Sequence, residues 1–369
     1  MFDMLKFQIC FLIFTSFIRL SQASPVTACL WQPYGQGLRL VIPSNLEKKS
    51  QSDFDYCKTA VQKYVDAVNA ESDLRNMMGG RTLPISSSSK YSIMPTKVSA
   101  RPRFIILANE FNQISVPGEF VMSTIMKQFY DGGADAYALP VAADISIGNQ
   151  GAEFRKIISG SFDAMLALGG EDINPALYGQ SITNANPADI HKTRDAHESA
   201  FQRDYISQSR GVFYGICRGH QMAATTQGQK LYQDIYVGDR YTPTGHTTTP
   251  HGQGAWHAIE VSNDSIFTKW AVTEIKNGKR IMWVNSFHHE AVAYPLTMRA
   301  GLKNLKVTGF EQDDASGGDS RKIIEIIEST DGRYITMQFH PEGMDQDMHG
   351  NGNRIRRGMI DHAARMRGR

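Results

Sequence analysis

The chain has 369 residues, and its 41% hydrophobic, 21% charged and 10% aromatic content is that of a globular protein with a sizeable core. At about 150 residues per domain, two domains are expected. Lysine plus arginine total 39 against 37 for aspartate plus glutamate, so a formal charge of +2 gives no electrostatic reason to expect nucleic acid as a partner. The 32 glycines, 14 prolines and 4 cysteines exclude collagen-like, disordered and disulfide-framework classes, and no apolar run reaches the ~20 residues a membrane-spanning helix needs.

Residues 1–23 have the layout of a secretory signal peptide. Lys6 precedes an apolar stretch from Phe7 to Ile18, Arg19 closes it, and Ser21 and Ala23 put small residues at −3 and −1 of a cut before Ser24. The expectation is export, to the periplasm or beyond the cell, with no stable membrane insertion once the signal is removed. Cys10 would leave with the signal. Cys29 and Cys57 could then pair and leave Cys217 as a free thiol, or could remain two ordinary buried thiols; spacing does not choose.

Residues 24–102 read as an extension. Phe54, Cys57, Val61, Tyr64, Val65 and Val68 recur at helical spacing, with a cap near Ser52 or Asp53. Gly79-Gly80 ends that helix and Ser86 to Ser89 begin a linker. Nothing here has catalytic spacing.

From residue 103 to the C-terminus strands and helices alternate. Buried strands are expected at Phe104–Ala108, Ala136–Leu139, Ala164–Leu168 and Val212–Ile216, with a helix from Gly118 to Tyr130. Strands without polar alternation, separated by helices, imply a parallel sheet covered on both faces, with reactive groups gathered at the strands' carboxyl ends. Further strands follow around residues 258–261, 282–284, 306–310, 323–327 and 335–339, and a helix from Asn353 to Met366 closes the chain.

Three strand ends carry candidate chemistry. Val212 to Ile216 runs into Gly215-Ile216-Cys217-Arg218-Gly219, the thiol counterpart of a nucleophile elbow, where a helix begins behind the sulfur and favours thiolate. Phe339 is followed by His340-Pro341-Glu342, and in an extended segment residues two apart project to the same side, so Glu342 could orient His340. Leu168-Gly169-Gly170 is a glycine turn after a strand; the Gly170 and Arg218 amides could together form an oxyanion hole.

Several motifs occur in one order: Leu168-Gly169-Gly170-Glu171-Asp172-Ile173-Asn174-Pro175, Arg194-Asp195, Gly215-x-Cys217-Arg218-Gly219-x-Gln221, Asn285-Ser286-Phe287-His288-His289 and Gln338-Phe339-His340-Pro341-Glu342. Together they resemble the class I glutamine amidotransferase-like superfamily, and within it the γ-glutamyl-γ-aminobutyrate hydrolase branch. That resemblance covers roughly Arg103 to the C-terminus. It implies a flavodoxin-like three-layer α/β sandwich with a mostly parallel sheet, and no cofactor. It implies Cys217 as nucleophile, His340 as base and later acid, and Glu342 as orienting group, with Gln221, Asn285, Ser286 and His288 holding a glutamyl head group. Glu290 departs from the branch, which often has glutamine after the paired histidines. Arg194 and Asp195 have a plain reading as polar residues at a helix start.

The function expected is hydrolysis of a small γ-glutamyl amide through a thioester. Its rivals are a folate polyglutamate γ-glutamyl hydrolase, a glutaminase subunit of an amidotransferase, and an inactive glutamyl-binding module. A small γ-glutamyl substrate and a second copy of the chain, as a homodimer, are the partners expected. The irregular spacing of His246, His251, His257, His288 and His289 fits no zinc pattern, and their surroundings suggest a surface loop. Arg354, Arg356, Arg357, Arg365, Arg367 and Arg369 read as a solvated helix face.

Overall fold

The structure is a computed structural model and describes residues 24–33, 38–95, 99–107, 121–235, 255–294, 305–311, 323–344 and 349–367. The expected signal peptide, His246, His251 and Arg369 lie outside the described residues. In chain order, β1 (Thr27–Gln32) and β2 (Leu40–Ser44) precede helices α1 (Asp53–Ala70) and α2 (Ser72–Met77) and strand β3 (Lys90–Ile93). Strands and helices then alternate through β4 (Arg103–Leu107), α3 (Val121–Asp131), β5 (Asp135–Leu139), α4 (Gly151–Ser161), β6 (Ala164–Ala167), α5 (Lys192–Gln208), β7 (Val212–Ile216) and α6 (Arg218–Thr226). A strand-rich stretch follows, with β8 (Leu231–Tyr232), β9 (Ala255–Val261), the one-turn helix α7 (Phe267–Trp270), β10 (Glu274–Lys276) and β11 (Lys279–Ser286). It continues through β12 (Ala291–Val292), β13 (Leu305–Glu311), β14 (Ile324–Ser329) and β15 (Tyr334–Met337) to the closing helix α8 (Asn351–Met366).

Thirteen strands among the described residues form one sheet in the order β10-β11-β9-β13-β14-β15-β7-β6-β4-β5-β2-β1-β3. Its centre, from β15 to β2, is parallel, while both flanks are antiparallel. The central strands are largely apolar because both of their faces are covered. On β4, Phe104 and Ile106 join one core with Ile125 and Phe129 of α3 and Ile355 and Met359 of α8. Ile105 and Leu107 join the opposite core with Phe154 of α4, Phe201 and Tyr205 of α5 and Met222 of α6. The result is the three-layer α/β sandwich expected from the sequence. Each large apolar side chain so buried stabilises it by about 1.5–3 kcal/mol before the entropic cost of ordering.

The extension is more than a helix and a linker. The expected helix forms as α1, where the Ser52 hydroxyl accepts from the Asp55 amide and caps the first turn. Tyr56, Cys57, Ala60, Val61, Tyr64, Val65 and Val68 are its buried face, while Phe54 stays half-exposed with its ring edge-on to Tyr91. The same region also supplies α2 and three strands, β1 to β3, which continue the main sheet past β5. These strands are short and pair with one another, with Leu40 of β2 opposite Ala138 of β5 as the link to the main sheet, so no local period announces them. A disulfide joins Cys29 on β1 to Cys57 on α1, and Tyr64 Oη donates to the Val141 carbonyl at 2.9 Å. The disulfide staples the extension internally, and the sheet and the Tyr64 hydrogen bond tie it to the rest of the chain.

Candidate active site

Sheet order explains why distant residues meet. Strands β6, β7 and β15 are neighbours and parallel, with Ala167 opposite Gly215 and Met337 opposite Ile216. Their carboxyl ends therefore release Leu168-Gly169-Gly170, Cys217 and Gln338-Phe339-His340 at one level of the sheet. Hydrogen bonds fasten the junction: the Cys217 amide donates to Met337 O at 2.8 Å, and the Gly219 amide to Leu168 O at 3.1 Å.

Cys217 stands at a sharp turn between β7 and α6, with φ 51° and ψ −112°. For a residue with a Cβ this conformation costs on the order of 1–3 kcal/mol and is held only by surrounding structure. Gly219 allows the close approach that holds it, since a Cβ there would lie 2.3 Å from the Ala167 carbonyl oxygen. A Cβ at Gly169 would lie 2.6 Å from Cε1 of His340 and 3.4 Å from Cβ of Cys217, so this bare backbone lets the imidazole sit against the thiol. Cys217 is buried from bulk water yet lines the cavity described below.

His340 is positioned from three sides. Its amide donates to Asn285 Oδ1 at 2.8 Å, and Asn285 Nδ2 donates to its carbonyl at 2.9 Å. The Phe287 ring meets the imidazole edge-on at 5.5 Å. His340 Nδ1 lies 2.8 Å from Glu342 Oε1. Glu342 does not reach the imidazole by strand alternation, as the sequence suggested. Strand β15 ends at Met337, and Pro341–Gly343 is a 3-10 turn, because proline removes a ladder donor and fixes φ. The turn carries the carboxylate back onto the ring. Burial favours neutral His340, but the adjoining Cys217 and Glu342 outweigh it and hold its pKa well above 6.5. The arrangement favours an imidazolium beside the Cys217 sulfur.

The cavity at this junction has a volume of about 220 Å³. Gly170, Cys217, Gln221, Phe287, His288 and His340 line it, together with Glu171, Asp172, Asp189, His289 and Glu290. Gln221 faces it while its Nε2 donates to Glu290 O at 2.8 Å, and His288 Nδ1 lies 2.9 Å from that same carbonyl. Asn285 and Ser286 are buried and are absent from the described cavity wall. Arg218 begins α6 directly behind the sulfur, so its amide and that of Gly170 both belong to the turns bounding the cavity.

The family model of Peptidase C26 matches residues 106–342. The chain belongs to the Peptidase C26 family. Its sequence is glutamine amidotransferase-like. It is 28% identical to protein NtpR of Enterococcus hirae over 184 residues, 49% of this chain and 66% of NtpR. It is 27% identical over 180 residues to the glutamine amidotransferase-like protein YvdE of Lactococcus lactis, 49% of this chain and 66% of YvdE. The chain thus spans just under two thirds of the length of these curated relatives. Among solved structures, the Trypanosoma brucei CTPS glutaminase domain with bound acivicin has 15% identity and a TM-score of 0.47, covering 72% of this chain and 94% of that one.

Beneath the elbow of this Peptidase C26 protein lies a buried charge network that the sequence reading missed. Arg218 pairs with Asp195 and Glu198, and Arg194 pairs with Glu171 and, at 2.9 Å, with Glu198. Asp195 also accepts from the Asn174 amide at 3.0 Å. Arg194 and Asp195 do sit in the first turn of α5, but they are fully buried rather than solvated. Five charges, two guanidinium groups and three carboxylates, share one site here, so each carboxylate answers a guanidinium. Through Arg218 and Glu171 the network fixes both turns that flank the cavity.

Two further readings change. Arg356 of α8 is buried, and its Nη1 donates to Pro341 O at 2.6 Å, bracing the His340–Glu342 turn; Arg354, Arg357 and Arg365 are exposed as expected. His257 lies in β9 and His288 beside the cavity, both buried rather than in a surface loop, with His257 Nε2 at 3.3 Å from Glu325 Oε1. His289 pairs with Asp172 at 3.0 Å. Among the described residues no group of three or more histidine, cysteine or acidic side chains is arranged to hold a metal.

Proposed function

We propose that this protein hydrolyses the γ-glutamyl amide bond of a small γ-glutamyl compound, with Cys217 as nucleophile, His340 as acid and base, and Glu342 as the group that orients the imidazole. The observation that supports this most is the convergence of Cys217 and His340, from two neighbouring parallel strand ends, on one cavity, with Glu342 held against the imidazole. Cys217 thiolate attacks the δ-carbonyl carbon, and the carbonyl electron pair becomes an oxyanion facing the Gly170 and Arg218 amides. The imidazolium of His340 gives its proton to the departing amine as the C–N bond breaks, leaving a thioester. Neutral His340 then takes a proton from water as that water attacks the thioester, and collapse releases glutamate and restores the thiolate. Gln221 and His288, which line the cavity, would contact the glutamyl group.

We further infer that the protein is exported. The signal-like segment motivates this reading, and the Cys29–Cys57 disulfide supports an oxidising compartment. The functional reading is tested by incubating the full chain with a panel of γ-glutamyl amides and following released glutamate by mass spectrometry. Turnover by the native protein and none by Cys217→Ala is the expected result. Equal turnover by both proteins, or none by the native one, would overturn it.

A further inference from the structure

Glu290 holds a position that the mechanism leaves unused. It lines the cavity and is 3% exposed. Its Oε2 accepts from the Ile173 amide at 3.2 Å, which ties it to the turn that carries Gly170. Its Oε1 is buried and has no hydrogen-bond partner among the described residues. An unsatisfied buried carboxylate oxygen is costly unless something else satisfies it.

The surrounding wall indicates what that is. Glu171, Asp172, Asp189 and Glu290 all line the cavity, and no lysine or arginine does so among the described residues. Two of these carboxylates are already answered, Glu171 by Arg194 and Asp172 by His289. Beyond its histidines, of which His340 serves the mechanism and His289 answers Asp172, the wall offers an anionic ligand group no basic side chain, whereas a cation would meet an uncommitted acceptor. Burial, followed by the Asp172 carboxylate, pushes the Glu290 carboxyl well above its usual range, and Arg218 opposes this only in part. An entering cation would reverse that penalty.

We propose that Glu290 is a specificity-determining residue that receives an ammonium group of the substrate, so that the preferred substrates are γ-glutamyl amides carrying a free amine. This rests on the reading of the cavity as the γ-glutamyl site. The ammonium has two sources, the α-amino group of the glutamyl unit or a distal amine on the leaving group. The shared chemistry is a primary ammonium against a buried carboxylate.

Binding rather than turnover tests it, so the result separates from the fate of the hydrolase reading. Full-length Cys217→Ala protein and the Cys217→Ala, Glu290→Gln double variant are titrated calorimetrically with γ-glutamyl hexylamine, γ-glutamyl-1,6-diaminohexane, and the α-N-acetyl form of each. A loss of at least about tenfold in affinity on Glu290→Gln, confined to ligands that keep the contacted amine, is expected. If the α-amino group is the contact, both unacetylated ligands weaken and both acetylated ones do not. If the distal amine is the contact, only the diaminohexane ligands weaken, acetylated or not. Equal losses across all four ligands, no loss in any, or no binding of any to Cys217→Ala protein would overturn the proposal. Should the Gln variant fail to fold, Glu290→Asp, which keeps the charge on a shorter arm, is expected to weaken the same ligands selectively. The selective pattern without any turnover by native protein would sink the hydrolase reading and leave this one standing.

Discussion

The carboxylate of Asp73 on α2 accepts a hydrogen bond from the backbone amide of Thr193 at 2.8 Å, one residue before the buried Arg194. Helix α5 begins after His191, whose side chain makes no capping bond, and His191 Nδ1 instead lies 3.7 Å from Asp73 Oδ1. The N-terminal extension thus caps, from outside, the helix that carries the charge network under the nucleophile. Asp73→Ala is expected to lower unfolding free energy by about 0.5–2 kcal/mol, the usual range for a lost N-cap, and Asp73→Asn by less. Urea unfolding of the full chain measures it; stability unchanged in the alanine variant would show that the contact carries no weight.

Glu342 acts through the His340 ring. A glutamine in its place keeps the shape but removes the charge and allows the wrong tautomer. Glu342→Gln should lower kcat on a γ-glutamyl amide by about 10²–10⁴ while KM changes little. Steady-state kinetics decide the matter, and a change confined to KM would place Glu342 in binding instead.

Glu198 answers both Arg194 and Arg218 in a site closed to water. Burial raises its pKa, but the two guanidinium groups more than compensate and hold it below the usual glutamate value. Removing its charge leaves two buried cations short of a partner, so Glu198→Gln should destabilise the fold by about 3–5 kcal/mol. A chemical-denaturation midpoint equal to that of the native protein would contradict this account of the elbow's support.

Glu290 gives stability a pH signature. Its folded pKa is raised well above 4.5, chiefly by burial, so the folded protein binds this proton more tightly than the unfolded chain. The linked stability is therefore complete below pH 4.5 and is lost as pH rises through the folded value. Glu290→Gln lacks this loss. Scanning calorimetry from about pH 4 to about pH 8 should show the variant's Tm gaining on that of the native protein as pH increases. A gap that stays constant or narrows would refute the assignment.

Much of the architecture was legible in the residues themselves. Val212 to Ile216 is an unbroken apolar run because both faces of β7 are covered, and it became a strand with those bounds. Ser52 and the spacing of Cys57, Val61, Tyr64 and Val68 announced α1 because helix periodicity and caps are local properties. Gly215-x-Cys217-x-Gly219 announced a sharp turn because small residues are required wherever backbones nearly touch.

What only the tertiary structure decided were relations between segments far apart in sequence. Strands β1 to β3 exist because they pair with one another and, through β2, with the distant strand β5, which no local pattern records. Asn285 serves the backbone of His340, Arg356 the carbonyl of Pro341, and Arg194 and Asp195 the floor of the elbow. None of them is assigned these partners by the sequence alone. A side chain's type fixes what it can bond to, but burial and neighbours fix what it does bond to, and those arise only when the sheet brings its strand ends together.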